Sequence, residues 1–168
     1  MLPKISKILY ATGLGAGAPY VFRYALSQAQ QYDAGIVAVH GMEPLSAFAQ
    51  SLVEQYVSHE NSEEMHRQAR ETVKAALRGR IEQICAKENG GDLESCRITE
   101  IRIVEGQPAQ VILETAKKVG ADLIVMGAHR HTALGETLIG TATRKVLHSS
   151  EVPVLVVRIP EGFREDGF

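Results

Sequence analysis

Apolar residues along this chain fall into two kinds of run. Short unbroken stretches, Ile8-Leu9-Tyr10-Ala11, Ile36 to Val39, Leu123-Ile124-Val125-Met126 and Val154 to Val157, read as strands; the first is apolar enough to be buried on both faces, as in a parallel sheet, and the last has a longer apolar run than a sheet edge should leave exposed. With their flanks they predict strands over Ile5 to Thr12, Ile36 to His40, Leu123 to Met126 and Val154 to Val157. Ile98 to Val104 alternates apolar and polar residues and predicts one more strand, third in chain order. Between the strands the apolar spacing changes to three and four residues. Phe22, Ala25, Leu26 and Ala29 follow Pro19, a residue suited to a first helical turn because its missing N–H costs nothing there. Val111, Ile112 and Ala116 follow Pro108 in the same way, and Val119-Gly120-Ala121-Asp122 closes that helix.

A longer helix is predicted to start at Asn61-Ser62-Glu63-Glu64, which has the form of a capping box, and to turn Met65, Ala69, Val73, Leu77, Ile81 and Ile84 to the core. Arg67, Arg70, Lys74 and Arg78 then form its solvated face. From Glu43 to Ser58 the pattern is weaker. Leu45, Phe48, Leu52 and Tyr56 share a face if the segment is helical, which suits either a lid or a short helix packed on the sheet edge or at a dimer contact. Strands alternating with helices predict parallel pairing and right-handed crossovers: one doubly wound α/β domain of five strands, helices on both faces, over residues 1–160, with 161–168 as a tail.

The polar and glycine positions at the strand ends carry the candidate chemistry. The fourth strand stops at Gly127, and the last helix opens at Gly140-Thr141. A helix start exposes amides with no partner inside the helix, so those of Thr141, Ala142 and Thr143 are placed to receive an anion, and glycine lets backbone come close to it. The alternative is that these glycines only end a strand and begin a helix. Gly13-x-Gly15-x-x-Ala18 also fits the dinucleotide fingerprint formally, but the acidic residue that reading needs belongs at the end of the second strand, and Asp33 precedes that strand.

The block Gly127-Ala128-His129-Arg130, nine residues, Gly140-Thr141, and then Val152-Pro153-Val154-Leu155-Val156-Val157 resembles the C-terminal signature of the universal stress protein (UspA-like) family. Lys7 to Pro44 and the Gly106-Gln107-Pro108-Ala109 turn resemble it as well. The resemblance implies a Rossmann-like sheet of order three-two-one-four-five, with a ligand crevice between the first and fourth strands. It implies an adenine nucleotide, ATP or else ADP or AMP, with magnesium as an optional companion. The residues it places around that ligand are Ala11, Thr12, Gly41, Met126, Gly127, His129, Arg130, Gly140, Thr141 and Ala142. Gly41 would meet the adenine through its backbone. Two positions depart from the family's pattern. Gly13 stands where an aspartate is usual, and Arg130 where a second loop glycine is usual; Arg130 either clamps the phosphate or marks a member that has lost its ligand. The resemblance also implies a homodimer paired through the last strand, Val152 to Arg158, its tail either reinforcing the contact or disordered. The function it implies is a nucleotide-binding stress sensor or regulator acting on an unknown protein partner; the alternatives are a dimeric interaction module of the same fold without nucleotide and a slow ATPase.

Composition adds bounds. At 168 residues with 45% apolar content the chain can build a core without staples. A net charge of −2 gives no reason to expect nucleic acid or an anionic membrane surface. Cys85 and Cys96 share no metal-type spacing and are expected to be free thiols. No apolar run reaches signal-anchor or membrane-span length, so a cytoplasmic protein without membrane insertion is expected. His129 and His131, two apart in a loop, read as loop histidines rather than metal ligands, and no nucleophile sits in a recognisable catalytic context.

Overall fold

A computed structural model describes residues 1–56, 59–128 and 139–165. The elements are β1 (Lys7–Ala11), α1 (Ala18–Tyr32), β2 (Gly35–Met42), α2 (Ala47–Tyr56), α3 (His59–Asn89), β3 (Ile98–Glu105), α4 (Pro108–Val119), β4 (Leu123–Gly127), α5 (Thr141–Ser149) and β5 (Val154–Val157). All strand pairs are parallel and the order is β3-β2-β1-β4-β5, so the fold is the five-stranded doubly wound sheet the patterning predicts. Successive residues of a strand face opposite sides. Ile8, Tyr10, Ile36, Ala38 and Val125 pack with α1 and α3, whereas Leu9, Ala11, Val37, Val39, Ile124 and Met126 pack with α4 and α5.

Local chemistry sets the joints. Asp33 adopts a left-handed conformation that ends α1 and pairs with Arg97 at 2.6 Å, at the end of the sheet opposite the crevice. Asp122 accepts hydrogen bonds from the Ser6 and Lys7 amides (2.8 and 3.0 Å) and so fixes the start of β1 beside β4.

Three expectations are corrected. α3 starts at His59, ahead of the supposed capping box, and Glu64 turns forward to Arg67 and Gln68 rather than back to a cap. Only the second half of the predicted stripe is buried: Leu77, Ile81 and Ile84 are in the core, but Met65 is 52% exposed and Ala69 is on the surface. The reason is length, since 31 residues of helix run about 46 Å against about 26 Å for an eight-residue strand, so the first half overhangs. Cys85 and Cys96 form a disulfide, Cα atoms 5.7 Å apart. Cys85 lies on the inner face of α3, and the turn through Gly90 (φ 64°) and Arg97 (φ 60°) brings Cys96 back against it, both fully buried.

α2 lies against α3 and buries none of its residues, so it is not packed on the sheet edge; Phe48 and Tyr56 stay open to solvent. Residues 159–165 pack onto the same chain. Ile159 reaches Gly17 and Gly127, Phe163 meets the Tyr20 ring edge-on at 5.1 Å, and Glu165 takes two hydrogen bonds from Arg23 (2.7 and 3.0 Å) and one from Lys87 (3.0 Å).

Candidate functional site

In a sheet of this order the chain leaves β1 in one direction and reaches β4 from the other, so a crevice opens beyond their C-terminal ends. The register sets Ala11 directly beside Met126, and the Thr12 amide donates to the Val39 carbonyl (2.9 Å), closing the floor against β2. Ala11, Thr12, Met126 and Gly127 are thereby brought together. Gly41 lies one strand away, paired with Val104.

The two glycines at strand ends are there for close packing. A Cβ at Gly41 would sit 3.0 Å from Pro108 Cα, at the first turn of α4. A Cβ at Gly127 would sit 3.1 Å from Val21 Cγ2 and 3.5 Å from Ile159 Cδ1. Gly13 differs, with no atom nearer than 3.9 Å to such a Cβ.

α5 is tied to this corner by a residue that spacing did not single out as an anchor. Thr143 is buried, and its hydroxyl donates to the Gly127 carbonyl at 3.2 Å, holding the first turn of α5 over the end of β4. Gly140 caps the helix in an extended conformation and carries no side-chain cap; its carbonyl accepts from the Arg144 amide (3.0 Å). Among the described residues no side chain caps the first-turn amides at Thr141 and Ala142, which carry the partial positive charge of a helix start. His129 and Arg130 lie outside the described residues.

The β1–α1 turn has its own hydrogen-bond pattern. His40 Nδ1 lies 2.8 Å from the Thr12 carbonyl, and because a carbonyl only accepts, that nitrogen carries the proton. Thr12 Oγ1 donates to the Gly13 carbonyl at 2.7 Å, and Arg80 of α3 donates to the Leu14 carbonyl. Beneath them the Tyr10 hydroxyl lies within reach of Thr12 Oγ1 (2.9 Å) and the Ala18 carbonyl (3.0 Å), and burial pushes its phenol well above the ordinary range. Among the described residues no group of three or more His, Cys, Asp and Glu side chains is arranged to hold a metal.

The model of the universal stress protein family matches residues 4–158. The chain belongs to the universal stress protein family. A universal stress protein of Thermus aquaticus, encoded 3' of its QAH/OAS sulfhydrylase, is 30% identical over 135 residues, 80% of this chain and 85% of that one. Three other curated relatives, 37, 44 and 45% identical, match over 59, 59 and 56 residues, and the chain spans only 36, 35 and 35% of their length. Among solved structures, UspA of Lactobacillus plantarum superposes with a TM-score of 0.68 at 23% identity, over 94% of this chain and all of that one. A universal stress protein in complex with cAMP superposes with a TM-score of 0.62 at 18% identity, over 94% and 100% of the two chains. Identities this low speak for the shared fold.

Within the universal stress protein, the sequence placed Ala11, Thr12, Met126, Gly127 and the start of α5 at one corner of the sheet, as the structure does. It missed Thr143 as an anchor, although a threonine two positions into a helix that starts on glycine is a usable signal. It also missed His40 and Arg80 as donors to the β1–α1 turn, because nothing in their spacing announces a contact with Thr12 or Leu14.

Proposed function

We propose that this universal stress protein binds an adenine nucleotide across the ends of β1 and β4, with its phosphates at the start of α5, and acts as a stress sensor or regulator rather than a turnover enzyme. The observation that carries the reading is the uncapped first turn of α5, anchored on the Gly127 carbonyl by Thr143 at the point where the strand order reverses. Further support comes from a structural neighbour in complex with cAMP, an adenine nucleotide with a phosphate. Ala11, Thr12 and Met126 would line the floor, the Gly41 backbone would meet the base, and Gly127, Gly140, Thr141, Ala142, His129 and Arg130 would surround the phosphates. Ligand binding reads out through its different affinity for two arrangements of the protein or its partner, since only a difference in affinity moves such an equilibrium. We assign the readout to a homodimer formed through the edge strand β5. Any hydrolysis of ATP is slow.

The test is mass spectrometry of the denatured protein for co-purified nucleotide, joined to calorimetric titration with ATP and AMP. Nucleotide carried through purification, or saturable heat, is expected. The Gly140→Asp variant sharpens the readout: aspartate is a better helix cap than glycine, so the melting temperature holds or rises while a carboxylate occupies the phosphate seat and binding is lost. No carry-over and no heat would favour the alternative, an interaction module of the same fold without nucleotide.

A further inference from the structure

A nucleoside polyphosphate reaches a protein either as a bare polyanion or with a divalent cation across its phosphates, and the donor set around the seat distinguishes the two. Magnesium is bound through oxygen atoms, commonly one or two carboxylates beside the phosphates and water. The β1–α1 turn does not fit that requirement. No residue from 11 to 18 is acidic. Its three consecutive carbonyl oxygens, at Thr12, Gly13 and Leu14, each accept from a side chain: the His40 ring N–H, the Thr12 hydroxyl and the Arg80 guanidinium. Two of those donors are N–H groups, and Arg80, which forms no ion pair with a carboxylate among the described residues, brings a positive charge. A divalent cation seated there would find no carboxylate on the turn, only carbonyl oxygens that each already accept one hydrogen bond, and a guanidinium bound to one of them. Its contact with Leu14 puts the guanidinium beside the turn that follows β1, and a phosphate brought to that turn would be favoured by its charge.

We propose that this corner recognises its nucleotide as the metal-free polyanion, and that Arg80 is the residue that sets the preference. The inference rests on the nucleotide reading above and deepens it. One guanidinium nitrogen pins the Leu14 carbonyl, holding the glycine-rich turn in place, while the charge of the group raises affinity for the ligand form with more negative charge. Gly13 belongs to the same device: its open surroundings would admit a carboxylate, and the turn itself, residues 11 to 18, carries none.

The experiment is calorimetric titration of the full-length protein with ATP, once in EDTA and once in excess magnesium, for the wild type, Arg80→Met and Gly13→Asp. The wild type is expected to bind ATP as tightly or more tightly in EDTA. Arg80→Met is expected to weaken binding in EDTA by about tenfold, the effect of losing one charge-assisted contact, and binding in magnesium by less. Gly13→Asp is expected to reverse the order, so that magnesium now strengthens binding. The ratio of the two affinities is the decisive quantity, since a purely structural role for Arg80 would lower both together. ATP that binds the wild type about tenfold more weakly in EDTA than in magnesium overturns the inference and leaves the nucleotide reading standing. An Arg80→Met ratio equal to that of the wild type removes Arg80 from the assignment. Absence of binding in both buffers overturns the nucleotide reading and this inference with it.

Discussion

Three glycines at the same end of the sheet have different reasons to be glycine. Gly41 abuts the backbone of Pro108, and Gly127 abuts Val21 and Ile159, whereas Gly13 faces open space. Gly41→Val is therefore expected to push α4 off the sheet and to cost about 1–3 kcal/mol, the usual range for overpacking against atoms that cannot yield. Gly13→Ala is expected to stay within about 0.5 kcal/mol of the wild type. Chemical denaturation of the two variants side by side checks this, and equal losses would mean the β1–α1 turn is as tightly packed as the β2 end. Residue-scale features of this sort were only partly legible in the sequence. The glycines were visible, but which neighbour demanded each of them is a tertiary fact, as is the reach of Arg80 across 66 positions to Leu14.

Among the elements, α3 and the segment after β5 carry the features that spacing misjudged. The spacing of the cysteines, which fits no metal site, predicts free thiols; the turn that returns the chain from α3 to β3 instead brings them together. Closing a loop of 11 positions restricts the unfolded chain by roughly 2–3 kcal/mol in the chain-entropy model. Reductant is accordingly expected to lower the melting temperature by about 5–10 °C for a chain of this size, and thiol labelling of the denatured, unreduced protein should find neither cysteine. The tail offers a second handle. Hydrogen bonds from Arg23, helped by Lys87 and opposed by partial burial, hold the Glu165 carboxyl down at about 2. A carboxyl held low in the folded state contributes its stability above its unfolded pKa and loses it as pH falls through the folded value. The tail contact should thus be fully present at neutral pH and weaken between about pH 4.5 and 2. Glu165→Gln should flatten that part of the melting-temperature profile; an unchanged profile would show that the tail does not contribute to stability through this carboxylate.

For the molecule as a whole, the architecture was the most legible part, because unbroken apolar strands alternating with amphipathic helices leave few topologies open. The strand order came from family resemblance rather than from spacing; it puts β1 beside β4, and the register that sets Ala11 against Met126 is a tertiary fact. The proposed assembly is testable at this scale. Val156 lies on the edge strand β5 and is half-buried. Val156→Lys is expected to convert a dimer to a monomer in sedimentation analysis, since a charge on an edge strand opposes pairing with a second copy; because Val156 also packs on the core, a melting curve that still shows a folded chain belongs to the same result. A variant that still sediments as a dimer would move the contact elsewhere. The overhang of α3 has one more consequence. From Glu60 to Ala76 no side chain is buried, and ion pairing to Glu105 through Arg70 ties that stretch to the strands. Its amides should exchange with solvent deuterium long before those around Leu77 to Cys85, so this arm can melt and re-form while the crevice above β1 and β4 keeps its shape.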